Sequence, residues 1–173
     1  MDAYLDRLRS EITRATLEFS DADWRRAPAG RWSSAQILEH LGRTYGTTAK
    51  MVELAVSASG APPPVRPATL KELIARLVVA ELGLFPSGMQ SQPVVLPTGE
   101  VTPEQVLQRT LASLERMDAA LDSAERRWGR GSVAMHKVLG PMSARQWRRF
   151  HYFHGHHHIL QMLKRSRRPK KKA

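Results

Sequence analysis

The 173-residue sequence contains no cysteine, so it has neither a disulfide framework nor a thiolate metal site. Any metal must be held by nitrogen and oxygen ligands. No apolar run approaches membrane-spanning length, and Met1-Asp2-Ala3-Tyr4-Leu5-Asp6-Arg7 lacks the basic and apolar regions of a secretory signal. A soluble cytoplasmic protein with no membrane partner is therefore expected. No run alternates at period two for long enough to predict a sheet, and no repeat of solenoid length is present. At 42% hydrophobic content the chain can bury one core and is too short to suggest two, which points to a single domain.

Acidic residues are also missing from the last ten positions. Lys164, Arg165, Arg167, Arg168, Lys170, Lys171 and Lys172 supply seven of the eleven net positive charges, leaving +4 for the rest, an ordinary surface excess. Residues 166–173, broken by Pro169, read as a solvated, disordered basic tail after a domain spanning 1–165. Such a tail attracts phosphate backbones only non-specifically, and no recognition motif accompanies it, so no specific nucleic-acid partner is expected.

What is present is helical periodicity. Tyr4, Leu5, Leu8, Ile12, Ala15 and Phe19 form one apolar stripe, an amphipathic helix of about five turns that ends near Ser20-Asp21-Ala22-Asp23, before a loop at Ala27-Pro28-Ala29-Gly30. Four later segments open with a Ser or Thr followed three residues on by Gln or Glu: Ser33/Gln36, Thr69/Glu72, Thr102/Gln105 and Ser143/Gln146. That spacing lets two helix-end amides be satisfied reciprocally. Pro103 sits at the first helical position of the third, where its missing N–H costs nothing.

After these caps, Ile37, Leu41, Thr44, Tyr45, Thr48, Met51, Val52 and Ala55 make one inward face, and Val106, Leu107, Leu111, Leu114, Met117 and Leu121 another. The last segment, Trp147 to Leu163, is apolar over a wide arc (Trp147, Phe150, Phe153, Ile159, Leu160, Met162, Leu163), as in a helix buried among others. Between the second and third long helices lie the proline run Pro62-Pro63-Pro64-Val65-Arg66-Pro67, a shorter helix at Leu70–Leu84 and a loop through Gly99. Four long helices with one long crossover carrying a short extra helix predict an all-α four-helix bundle, a fold that builds cofactor sites from core-facing side chains.

Five of the seven histidines fall in His151-Tyr152-Phe153-His154-Gly155-His156-His157-His158. His154 and His158, four residues apart, share one helix face and can converge on one ion. His151 and His157 offer neighbouring combinations, while His136 falls in the loop before the last helix. His40 lies near the inward face of the second long helix, where a ring without a partner would cost roughly 1–3 kcal/mol, so it is either hydrogen-bonded or coordinated.

The stretch Trp32-Ser33-Ser34-Ala35-Gln36-Ile37-Leu38-Glu39-His40-Leu41, together with His154-Gly155-His156-His157-His158-Ile159-Leu160-Gln161, resembles the DinB/YfiT-like metalloprotein superfamily from about Met1 to Arg165. The resemblance implies a four-helix bundle and carries metal-ligand roles onto His40, His154 and His158, with one divalent ion (zinc, nickel or iron) as cofactor. Gln161 matches the glutamine that commonly follows. The resemblance also implies metal-dependent hydrolases and, in some relatives, transferases or isomerases that use a low-molecular-weight thiol.

Three nitrogen ligands leave a coordination position open, which favours a catalytic over a structural site. The expectation is a metal-dependent enzyme acting on a small molecule, with water or a low-molecular-weight thiol as nucleophile. A non-catalytic metal-binding bundle is the alternative. No carboxylate falls inside the C-terminal histidine stretch, and Glu39 points about 100° away from His40 around its helix. His157, Tyr152 and His151 are the candidates to support the ligands, Trp32 and Trp147 could line the site's mouth, and a homodimer is a further expectation for a helical chain of this size.

Overall fold

The computed structural model describes residues 1–58, 66–85 and 91–166. Its long helices are α1 (Ala3–Thr16), α3 (Ser34–Ala58), α5 (Pro103–Trp128) and α6 (Ala144–Arg165). Helix α3 runs along α5 and α1 along α6, so the chain is an all-α bundle of two helix pairs with one shared core. Leu5, Leu8 and Ile12 of α1, Leu38, Leu41 and Tyr45 of α3, Leu114, Met117 and Leu121 of α5, and Trp147 and Ile159 of α6 are buried together. Each fully buried aliphatic side chain contributes about 1.5–3 kcal/mol. The buried guanidinium of Arg148 on α6 meets Asp2, Asp118 and Glu125, the counter-charges that such burial requires.

The expected caps recur with their hydrogen bonds. Ser33/Gln36, Thr69/Glu72 and Ser143/Gln146 form both reciprocal bonds, and the Thr102 hydroxyl accepts from the Gln105 N–H. A further box was not expected. Ser20 and Asp23 cap a short helix α2 (Asp21–Arg25), so α1 stops at Thr16 after 14 residues, short of the five turns expected. A Ser/Asp cluster reads equally well as the end of one helix or the start of another, and here it starts one. The proline run at 62–64 and the basic tail from 167 onward lie outside the described residues.

Three further expectations are corrected. The crossover helix is α4 (Leu70–Arg76) continued by a π-helical turn (Leu77–Glu81), followed after a break by a 3-10 turn (Pro93–Val95). Two short strands, β1 (Ser132–His136) and β2 (Gly140–Ser143), pair antiparallel as a hairpin between α5 and α6. Five and four residues are too few for alternation to register, and the burial pattern of β1 does not alternate. His136 ends β1, and its Nδ1 accepts the Val138 and Leu139 N–H groups, which closes the turn. Finally, Leu160 and Leu163 of α6 are exposed, so its buried arc is narrower than expected.

Gly155, in the middle of α6, lets three helices meet. A Cβ there would lie 2.5 Å from Leu8 Cδ1 of α1 and 2.8 Å from the Tyr45 hydroxyl of α3. The close approach sets the distance at which α6 presents its flanking histidines to α3.

Candidate metal centre

His40 is carried by the second turn of α3, which Ser33 and Gln36 start and whose preceding residue, Trp32, packs its ring 4.9 Å from the imidazole. His154 and His158 project from one face of α6, with ring centroids 5.4 and 5.1 Å from that of His40 and 4.7 Å from each other. One nitrogen of each ring falls in a group whose members all lie within 4.8 Å of one another, and no Asp or Glu of the described residues joins it. Of the combinations left open in the sequence, the rings that converge among the described residues are those of His40, His154 and His158.

The outer ring nitrogens show which atoms face inward. His40 Nδ1 lies 2.9 Å from the Val95 carbonyl oxygen, which can only accept, so Nδ1 carries the proton and Nε2 the lone pair. His158 Nδ1 lies 3.0 Å from Gln161 Oε1, with the glutamine oriented so that its amide nitrogen donates to His157 Nε2 at 2.9 Å. His158 is thereby also the tautomer with an inward Nε2. His154 Nε2 and His158 Nε2 are 3.1 Å apart, close to the ~3.3 Å separation of two tetrahedral ligands at ordinary zinc–nitrogen lengths. Outer N–H groups held by oxygen acceptors are the usual support for ligating imidazoles. His154 Nδ1 is buried with no hydrogen-bond partner among the described residues. The three histidines can hold a metal ion, and the donor set suits a divalent one.

Burial keeps all three rings neutral. It lowers the His158 pKa to about 3, with the neighbouring His40 adding to the effect. It takes His154 well below the usual histidine range, helped by His158 and His40, and lowers His40 against the opposing bond to Val95. Neutral imidazole is the ligating form. Phe150 stacks on His154 at 5.5 Å and Phe85 of the crossover packs 5.6 Å from His154 and 5.3 Å from His157, so with Trp32 these rings wall the cluster.

The remaining candidates lie elsewhere or act indirectly. His151 is fully buried, with Nε2 3.1 Å from the Thr48 hydroxyl and its ring stacked on Trp147. Tyr152 faces α1, its hydroxyl 3.4 Å from Glu11, which also meets His156 Nδ1 at 2.7 Å. Trp147 packs against His136 and His151. His157 stands beside the cluster, its ring 5.5 Å edge-on from that of His158 and its Nε2 accepting from the Gln161 amide.

Sequence reasoning missed the anchoring of the crossover. Glu39, beside His40, accepts the Thr98 and Gly99 N–H groups, the Thr98 hydroxyl and Arg43. Burial would raise its pKa, but those bonds outweigh it and lower the value. Consecutive residues of α3 thus pin one segment twice, Glu39 at Thr98 and His40 at Val95. The link from Gln161 to His158 was legible in their spacing of three on a helix, whereas a carbonyl contributed by Val95 leaves no trace in sequence.

A family model described as the DinB superfamily matches residues 4–162, from α1 into the last turn of α6. The chain belongs to the DinB superfamily. All three clustered histidines lie inside the matched span, and the helical bundle agrees with the assignment. No curated protein and no solved structure gives a significant match. No helix of the described residues is long and apolar enough to cross a membrane.

Proposed function

We propose that this DinB-superfamily chain binds one divalent metal ion through Nε2 of His40, His154 and His158 and uses it in enzymatic chemistry on a small molecule. The observation that carries the reading is the convergence of one ring nitrogen from each of three histidines, two of which hold Nδ1 against an oxygen acceptor. A three-nitrogen site leaves a position open, where a divalent ion lowers the pKa of water or of a thiol. Val95 and Gln161 hold the two outer imidazole protons, while Trp32, Phe85 and Phe150 exclude water from the histidine faces.

No carboxylate joins the cluster among the described residues, and Glu39 is committed to the crossover. Transfer to a low-molecular-weight thiol, which loses its proton at a metal without a neighbouring base, fits this donor set better than hydrolysis. A metal-holding bundle without turnover is the second reading, and it requires the same three histidines.

Elemental analysis of the untagged protein beside His40→Ala and His154→Ala/His158→Ala variants tests the site. Near-stoichiometric metal that disappears in both variants is expected, and a native protein that takes up neither zinc, nickel nor iron would overturn it. Metal-dependent consumption of a thiol against a small electrophile then separates the enzyme from the inert bundle.

A further inference from the structure

Helix α4 is inverted. Its inward face carries Glu72, which is 8% exposed, accepts from Arg66 and from Thr69 and lies against Gly140 of the hairpin, together with Arg76, which donates to the Pro141 carbonyl. Its outward face carries Leu70, Leu73, Ile74 and Leu77, spaced i, i+3, i+4 and i+7 and 72, 45, 55 and 55% exposed. An ordinary surface helix buries such a stripe and hydrates its charges.

The π turn extends the stripe. The Leu82 N–H donates to the Leu77 carbonyl at 3.0 Å, an i to i+5 bond that brings Leu82, also 59% exposed, to the next turn on the side of Leu77. An α turn would have put buried Ala80 or the Arg149-paired Glu81 nearest that place. The wider turn keeps Val79 and Ala80 buried, Glu81 on α6, and the leucines in line.

We propose that the face formed by Leu70, Leu73, Ile74, Leu77 and Leu82 is where two copies of this chain pair, antiparallel about a twofold axis near Ile74 and Leu77. A short apolar stripe with its long residues at both ends and the middle is self-complementary under such an axis. The five side chains expose roughly 500 Å² together, at the upper range for a monomer's largest apolar patch, and an isologous pair would remove roughly 1,000 Å², about the threshold for a specific interface. The pairing does not depend on the metal. Like charges on two chains of +11 oppose it at long range, so added salt strengthens it.

The test measures mass by light scattering at micromolar and sub-millimolar concentration. The native chain is expected at twice the single-chain mass, and Leu73→Glu/Leu77→Glu at the single-chain mass with an unchanged circular dichroism spectrum. Because the chain has no cysteine, Ile74→Cys and Leu77→Cys give an independent reading: each should form a disulfide-linked dimer under mild oxidation, whereas Leu54→Cys, equally exposed on α3, should not. Three results would overturn the proposal. They are a native chain monomeric at every concentration, a dimer that survives Leu73→Glu/Leu77→Glu, and a monomer that uses this face to bind anionic vesicles.

Discussion

Two faces of α6 carry the same residue type to different ends. On one, His154 and His158 meet His40 of α3, and no carboxylate of the described residues joins them. On the other, His156 and Tyr152 turn to Glu11 of α1 at the edge of the bundle. His151, one turn before His154 and fully buried, satisfies Nε2 with a threonine hydroxyl. Histidine density on a helix therefore does not make a metal site; a second helix must bring a lone pair to the same point.

The largest effect expected separates His158 from His151. His158→Ala should abolish metal binding, whereas His151→Ala should keep the metal content while losing stability through the cavity it leaves, read by elemental analysis and urea denaturation side by side. Next comes Gln161. Gln161→Leu removes the acceptor from His158 Nδ1 and should weaken metal affinity about 10–100-fold in a chelator competition, while Gln161→Glu, which retains an acceptor oxygen, should restore most of it.

Gly155 ties the two faces together. Gly155→Ala should cost about 1–3 kcal/mol in urea denaturation, because the new methyl group enters the Leu8–Tyr45 contact, and helix propensity offsets only part of that. A further histidine comparison is with His136, whose pKa burial lowers from 6.5 to about 4 and whose Nδ1 accepts two backbone N–H groups. Its folded pKa lies below its unfolded one, so its contribution is complete above pH 6.5 and is lost as pH falls toward 4. Metal-free protein should lose stability across that window, and His136→Asn, which keeps an acceptor but cannot titrate there, should flatten the slope by at most about 1.4 kcal/mol per pH unit. The smallest effect belongs to the α1 face: His156→Gln should change stability by less than about 1 kcal/mol and leave metal content unchanged.

Most of the bundle was legible because its determinants are local. Apolar spacing located α1, α3, α5 and α6, and the Ser/Thr to Gln/Glu spacing located four helix starts, since both signals act within one or two turns. The hairpin was hidden because strands of five and four residues offer no usable alternation, and a histidine side chain closes the turn in place of the Asn-Gly or Asp-Gly signal that marks one. Helix α2 was hidden because Ser20 and Asp23 can end a helix as readily as begin one.

The candidate site divides in the same way. The sequence by itself determined the chemistry available: no thiolate, a pair of imidazoles one turn apart on α6, and a third on the inward side of α3. Only the tertiary structure decided which nitrogens face inward, because Val95, 55 residues from His40 in sequence, supplies the acceptor that sets one tautomer. It also decided that α4 docks by its charges and shows its leucines outward. Helical periodicity gives a stripe its width but not its direction, and direction depends on what the rest of the chain packs beneath it.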